Sequence, residues 1–397
     1  MDCSFAALRP REYVAHKFAA PPHLDGNLRE AAWEHVPWTS DFVDISTPTL
    51  PWLHTRAKLA WDDRFLYVGA ELEDPLWATL RRHDEVIFHD NDFEIFVDAN
   101  ATTHGYKEFE MNAYNATWDL MLSRPYGDGG GEISCRVSPA PCFDMQPPLA
   151  SAVQLNGSLN QPAGPPDGGW SVEVALPLDG LMAHNAGADQ RPRDGVFWRI
   201  NFSRVQWALK VDQATGRYVK APACQSCAQP GSAHEDNWVW SPQGEVAMHE
   251  PETWAIVQFA EGGAAAAASR PAYDEWPARA LARALYRAQR SHRAQAAAAA
   301  VRLHTRGAGF ATPPPPYTAD LAALDRLAEP PGVLAACASA ATRVDLAAGG
   351  ESYTASVGSV VGPRSTVVQV NDQRFTTVTR RAGRGAELTA LDELVLT

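Results

Sequence analysis

Between residues 55 and 259 apolar side chains recur at every second position in short runs separated by turn-forming residues. A period of two puts alternate side chains on opposite faces of an extended strand, so each run can bury one face against a partner layer. The clearest runs are Thr55–Trp61, Arg64–Leu72 (RFLYVGAEL), Asp92–Asp98 (DFEIFVD), Tyr106–Tyr114 (YKEFEMNAY) and Thr117–Leu122. Ser151–Asn156, Trp170–Leu176 (WSVEVAL), Val196–Ser203 (VFWRINFS) and Trp254–Phe259 complete the set. Many short strands divided by turns make a two-layer antiparallel sandwich. Helical signals here are confined to a turn at Leu28–His35 and to Pro177–Met182.

Tryptophan marks the extent of this region. Twelve of the thirteen Trp lie between Trp33 and Trp254, and only Trp276 lies beyond. The organisation expected is an N-terminal arm (1–19), an all-β domain (20–260), an Ala/Gly linker (261–270) and a small α+β unit (271–397). Tyr273–Val301 has a strong helix composition, with Leu281, Leu285 and Ala288 spaced to form one apolar stripe. A shorter helix at Ala319–Leu327 and strands around Ser352–Val361, Ser365–Val370 and Arg374–Val378 follow.

The net charge of −13 is unevenly spread. Residues 270–397 hold fifteen Arg, no Lys and eleven Asp or Glu, which is +4, so the rest of the chain carries −17. An acidic body without an aromatic-interleaved basic patch argues against nucleic acid as a partner. No apolar run reaches the roughly 18–20 residues of a membrane span, and no signal peptide is visible at the start. The six cysteines are too few and too scattered for a disulfide scaffold. Cys224 and Cys227 form a lone CxxC without a second pair or flanking histidines, so a local disulfide or inert thiols are expected there.

Seven blocks, in order, resemble the family 9-like carbohydrate-binding proteins: LDGNLREAAW (24–33), AWDDRFLYVGAELEDP (60–75), IFHDNDFEIFVD (87–98), THGYKEFEMNAYNATWDL (103–120), GWSVEVALP (169–177), WRINFSRVQW (198–207) and EDNWVWSPQG (235–244). The resemblance implies a jelly-roll-type, DOMON-like β-sandwich that binds polysaccharide or oligosaccharide such as xylan or cellulose, frequently with bound Ca²⁺. It further implies an extracellular setting and a role accessory to glycoside hydrolases. Residues 271–397 are similar to an extension carried by stand-alone members. Known binders of the family hold sugar between two Trp side chains. The corresponding positions here fall at or near Phe88 and near Met248-His249, and neither is Trp.

A pyranose offers an apolar face to an aromatic ring and a rim of hydroxyls to polar side chains. On the run 106–114, alternation puts Glu108, Glu110, Asn112 and Tyr114 on one face and Phe109, Met111 and Ala113 on the core face. Glu94 and Asp92 extend that polar strip, which is expected to lie at the surface. The candidate sugar ligands are Phe88, Glu94, Glu110, Asn112, Trp118, Arg204 and Trp240. Trp207 and Trp238 are further aromatic platforms, with core packing the competing role for each Trp. Arg204 is open to two roles, a fork to sugar hydroxyls or a partner for a buried carboxylate. Asp90, Asp92 and Asp98 supply the hard oxygens that a structural Ca²⁺ takes. No GxSxG, HExxH or P-loop occurs, and a non-catalytic binder is expected. The alternatives are a glycosidase using paired strand carboxylates and a protein-binding or adhesion sandwich.

Overall fold

The computed structural model describes residues 1–138, 142–164, 166–185, 190–222, 234–262, 273–305, 315–363 and 365–380. The Cys224–Cys227 pair and most of the expected linker lie outside them. The chain forms two compact units, Pro10–Pro271 and a second that joins Met1–Arg9 to the chain from Ala272 onward.

The first unit is one long curled sheet. Its strands are β1 (Glu12–Lys17), β2 (Val43–Asp44), β3 (Thr55–Trp61), β4 (Phe65–Leu72), β5 (Asp92–Asp98), β6 (Tyr106–Asn112), β7 (Thr117–Leu122) and β8 (Glu132–Ile133). After these come β9 (Ala150–Asn156), β10 (Gly169–Pro177), β11 (Phe197–Trp207), the hairpin β12 (Leu209–Val211) and β13 (Tyr218–Lys220), β14 (Glu235–Val239) and β15 (Ala255–Ala260). The order is β8-β7-β6-β5-β11-β15-β1-β3-β4-β10-β9, with β14 joining β11 to β2. Curling brings two leaves face to face. Phe93, Ile95, Val97, Phe109 and Met111 from one leaf share a core with Leu59, Trp61, Val68, Val172 and Val174 from the other.

Two expectations need correction. The sheet is mixed, because β1 runs parallel to both neighbours, β15 and β3. Residues 1–19 are not one arm: β1 closes the gap between the leaves, while Met1–Arg9 belongs to the other unit. Short helices α1 (Ala31–Glu34) and α2 (Leu178–Met182) fall where the turn signals put them.

In the second unit α3 (Trp276–Thr305) buries Leu281, Leu285 and Ala288 at 0% exposure, the stripe its spacing predicts. It packs on α4 (Leu321–Leu327), α5 (Val333–Cys337) and the four-stranded sheet β16 (Arg343–Leu346), β17 (Tyr353–Val357), β18 (Thr366–Asn371) and β19 (Thr376–Arg380). The N-terminal residues are held to this unit by a Cys3–Cys337 disulfide and by Trp276 Nε1, which donates to the Phe5 carbonyl at 3.1 Å. A second disulfide, Cys135–Cys142, closes a short loop of the first unit. Neither pairing is written in the cysteine spacing.

Candidate functional site

The alternation in β5 and β6 is obeyed, but the polar strip is not a solvated surface. All seven residues of each strand are buried. The inward side chains fill the sandwich core, and the outward ones are roofed by two loops. Residues Leu80, Val86, Ile87 and Phe88 from one loop, with Met248 and Trp254 from another, pack over Phe96, Tyr106, Trp118 and Leu120. The outward face therefore combines an apolar roof with a floor of carboxylates.

On that floor Glu94 stands opposite Glu110, and Trp118 flanks Glu110 on β7. Exposure is 4% for Glu94, 6% for Glu108, 1% for Glu110 and 0% for Asp92. Burial, reinforced by the neighbouring carboxylates, drives Asp92, Glu108 and Glu110 well above the usual carboxylate range, and burial raises Glu94 to about 7. Glu110 Oε2 accepts from the Phe88 N–H at 3.0 Å, and Asp92 Oδ1 accepts from the Val205 N–H at 2.8 Å. Thus each of these two carboxylates is steered by the backbone through one oxygen.

Phe88 is half-buried, lies 6.5 Å from Trp118 at 31°, and is fixed through its carbonyl by Trp207 Nε1 at 2.9 Å. Across the floor, Tyr126 is 45% exposed and meets the His249 ring edge-on at 4.5 Å. His249 Nδ1 is 3.0 Å from the Tyr106 hydroxyl, and burial lowers its pKa to about 4, so the ring is neutral near pH 7. The Arg136 guanidinium lies 4.8 Å over Trp118 and pairs with Glu132. Burial beside Glu108 and Glu132 pushes the Tyr126 hydroxyl up to about 12. These side chains gather over the outward face of β5–β7, and among its aromatics Phe88 and Tyr126 keep exposed surface above the buried acids.

The other sequence-predicted residues are structural. Asn112 donates to the Leu80 carbonyl and Asp90 and accepts from the N–H groups of Tyr114 and Ala116, which leaves no reach for a ligand. Arg204 is 0% exposed, donates to Asp74 Oδ2 at 2.9 Å and Thr55 Oγ1 at 2.8 Å, and also pairs with Gln206. Of its two open roles the structure takes the buried-carboxylate one. Trp240, 1% exposed, stacks on Phe202 at 5.6 Å in the core, and Trp238 is buried as well. Trp118 is 4% exposed and is packed against Phe88 and the Arg136 guanidinium.

The trio Asp90, Asp92 and Asp98 does not form one ion site. Asp92 and Asp98 sit at opposite ends of β5, six residues or roughly 20 Å apart. Asp90 already accepts from the N–H groups of Thr79 and Leu80, the Thr79 hydroxyl and Asn112. Asp98 caps the turn at Thr102 and Thr103. Tyr126, Glu132 and Arg136 escaped the sequence reading because they follow β7 in a Gly-rich stretch around the two-residue β8, with no period to place them. A separate open groove of about 720 Å³ on the other leaf is lined by Asn27, Arg56, Glu71 and Gln154, and holds none of the predicted residues. Its Arg56 is already paired with Glu71 at 2.9 Å.

Residues 24–191 match the model of the carbohydrate family 9 binding domain-like family. No curated protein matches the chain. Among solved structures, the chain is similar to a family 9 carbohydrate-binding module from Caldicellulosiruptor kristjanssonii in complex with cellotriose, at 15% identity and a TM-score of 0.36 over 65% of this chain and 98% of that one. A complex of such a module from the same organism with glucose gives 15% and 0.34 over 63% and 96%. A putative carbohydrate-binding protein from Bacteroides uniformis ATCC 8492 gives 15% and 0.41 over 63% and 99%.

Proposed function

We propose, from the match of residues 24–191 to the carbohydrate family 9 binding domain-like model, that the chain binds carbohydrate without cleaving it, in a slot between Phe88 and Tyr126. The family match carries the reading. It spans β2 to β10 and so contains Phe88, the acidic floor, Tyr126, Glu132 and Arg136. A sugar ring stacks on an aromatic face, here the exposed Tyr126 or the half-buried Phe88. Its hydroxyls are served by Glu132 and Arg136 at the rim and Glu108 beneath. With Phe and His where the family's known binders have Trp, the grip is weaker and the preferred sugar differs from theirs.

The acids support binding over hydrolysis. A glycosidase needs its two carboxyls on either side of an open cleft. The candidate pairs on one strand, Glu108 with Glu110 and Asp92 with Glu94, are instead buried at 6% and 1% and at 0% and 4% exposure. The two disulfides suit an oxidising compartment, which supports a secreted protein accessory to polysaccharide breakdown.

The test is a glycan screen of the whole chain, including cello- and xylo-oligosaccharides, with Trp fluorescence and reducing-sugar release followed together. Saturable binding with a fluorescence change and no release of reducing ends establishes a binder and names its ligand. Released reducing ends make it a hydrolase, and no response to any glycan refers the slot to a protein partner.

A further inference from the structure

We propose that Trp52, with Asp236 and His234 beside its indole N–H, is a second carbohydrate site, on which one pyranose ring of a glycan stacks. It shares only the ligand class with the proposed function, and none of the slot's residues take part.

Exposure is the first observation. Of the thirteen Trp, eleven are buried and Trp38 is half-buried, whereas Trp52 is 65% exposed. Its ring meets Trp238 edge-to-face at 5.8 Å and 88°, a partner that covers at most one of its two faces. The fold gains little from an indole left in water, while open aromatic faces are what binding surfaces use. Trp52 precedes the first alternating run, Thr55–Trp61, so no periodicity marks it.

The second observation is that the loop carrying this indole is held in one shape. Asp44 Oδ1 accepts from the Ser46 and Thr47 N–H groups at 3.0 Å each and from the Thr47 hydroxyl at 3.1 Å. The Asp44 N–H donates to the Thr49 carbonyl at 2.9 Å, and the Ile45 N–H to the Asn237 carbonyl at 3.0 Å. Pro48 and Pro51 fix two of the intervening φ angles. A ring docking on so well tied a platform costs little in loop ordering.

The chemistry beside the ring is the third. Trp52 Nε1 donates to Asp236 Oδ2 at 3.5 Å, and Asp236 Oδ1 is 2.9 Å from His234 Nε2. Both side chains stay open to solvent, His234 at 52% and Asp236 at 30% exposure. A flat apolar face with a carboxylate and an imidazole at its edge matches the apolar face and hydroxyl rim of a pyranose. An anionic lipid surface fits poorly. The strand that Trp52 packs against, β14, and its partner β2 carry Asp44, Glu235 and Asp236 and no Lys or Arg. Leu50, 69% exposed two residues earlier, offers surface to a protein partner but no stacking face to a sugar.

The experiment oxidises the full chain with limiting N-bromosuccinimide, which attacks accessible indoles, and locates the product by peptide mass spectrometry. It is run with and without the glycans of the screen, cello- and xylo-oligosaccharides first, beside calorimetry of the same glycans. Expected is one fast-reacting indole, Trp52, slowed about tenfold by a glycan at about ten times its Kd. Trp52→Ala should remove the fast phase and weaken glycan affinity at one site by about tenfold. Its side chain is exposed, so the melting temperature should move by no more than a degree or two. Leu50→Ala and Tyr126→Ala should both leave the protection of Trp52 in place. The proposal falls if a glycan binds while Trp52 is oxidised at its unprotected rate and Trp52→Ala keeps full affinity, and the slot then stands alone. It falls equally if Leu50→Ala costs as much affinity as Trp52→Ala, which makes apolar cover rather than ring stacking the cause. Protection of Trp52 with affinity unchanged in Tyr126→Ala supports this site and removes the slot. A screen in which no glycan binds removes both.

Discussion

Glu94 and Glu110 face each other across adjacent strands, each less than 5% exposed and, among the described residues, neither in an ion pair. Two ionised carboxylates in that position repel at short range in a poorly solvated environment. Their protonation is therefore coupled to folding.

The sign follows from linkage. Glu94 rises from 4.5 to about 7 in the folded chain, so between those values the folded state binds more protons than the unfolded state. Stability then falls as pH rises through that window. His249 acts in the other direction: lowered from 6.5 to about 4, it costs stability as pH falls from 6.5 through 4. In chelator the melting temperature should peak between about pH 5 and 6 and decline by several degrees toward about pH 8. Glu94→Gln should flatten the alkaline limb. A melting temperature that keeps rising to about pH 8 in chelator would show that the floor acids titrate normally.

Tyr126 separates binding from stability better than the floor does. The floor acids are buried, so replacing them changes packing and charge together. Tyr126 is 45% exposed, and its main aromatic contact is the edge of His249. Tyr126→Ala should weaken glycan affinity by about tenfold, the worth of one aromatic contact, while shifting the melting temperature by no more than a degree or two. Unchanged affinity by calorimetry would remove the slot as the sugar site.

Arg204 gives the opposite pattern. It and Asp74 are buried at 0% and 1% side-chain exposure and joined at 2.9 Å. Removing only the cation strands a carboxylate in the interior. Arg204→Met should cost about 3–5 kcal/mol in denaturant unfolding. The double change Arg204→Met with Asp74→Asn should recover a large part of that. Glycan affinity of the folded fraction should not move in either case. If the single change costs less than about 1 kcal/mol, Asp74 is neutral in the folded state and the pair is not ionic.

Period-two alternation was enough to assign the faces of Tyr106–Tyr114: Phe109, Met111 and Ala113 are in the core. It could not show that Glu108 and Glu110 are covered, because cover comes from Phe88 and Met248, far away in the chain. The same limit explains Asn112 and Asp90, whose oxygens and amide are consumed by loop backbone that only tertiary folding brings near. Trp240 fits the ordinary rule that a sandwich buries its tryptophans. The parallel pairing of β1 carries no local signal, since both edges it joins are set by the curl of the whole sheet.

The cysteine pairing yields the last prediction. Cys3 and Cys337 are 334 residues apart in sequence, yet their Cα atoms are 5.2 Å apart. Within their unit this bond fastens the N-terminal nine residues to the end of α5, alongside the hydrogen bonds from Trp276 to Phe5 and from Arg9 to the Tyr273 carbonyl. Phe5 is 7% exposed, so freeing the segment uncovers apolar surface as well as enlarging the unfolded ensemble. Cys3→Ser should therefore destabilise the unit containing α3 by about 2–5 kcal/mol. The unit Pro10–Pro271 keeps its own core and its own Cys135–Cys142 bond, so its transition should stay in place. Calorimetry of Cys3→Ser against the native chain, both free of reductant, should show one transition moving to lower temperature and one unchanged. If both move together, the two units melt as one cooperative body and the disulfide stabilises the whole chain.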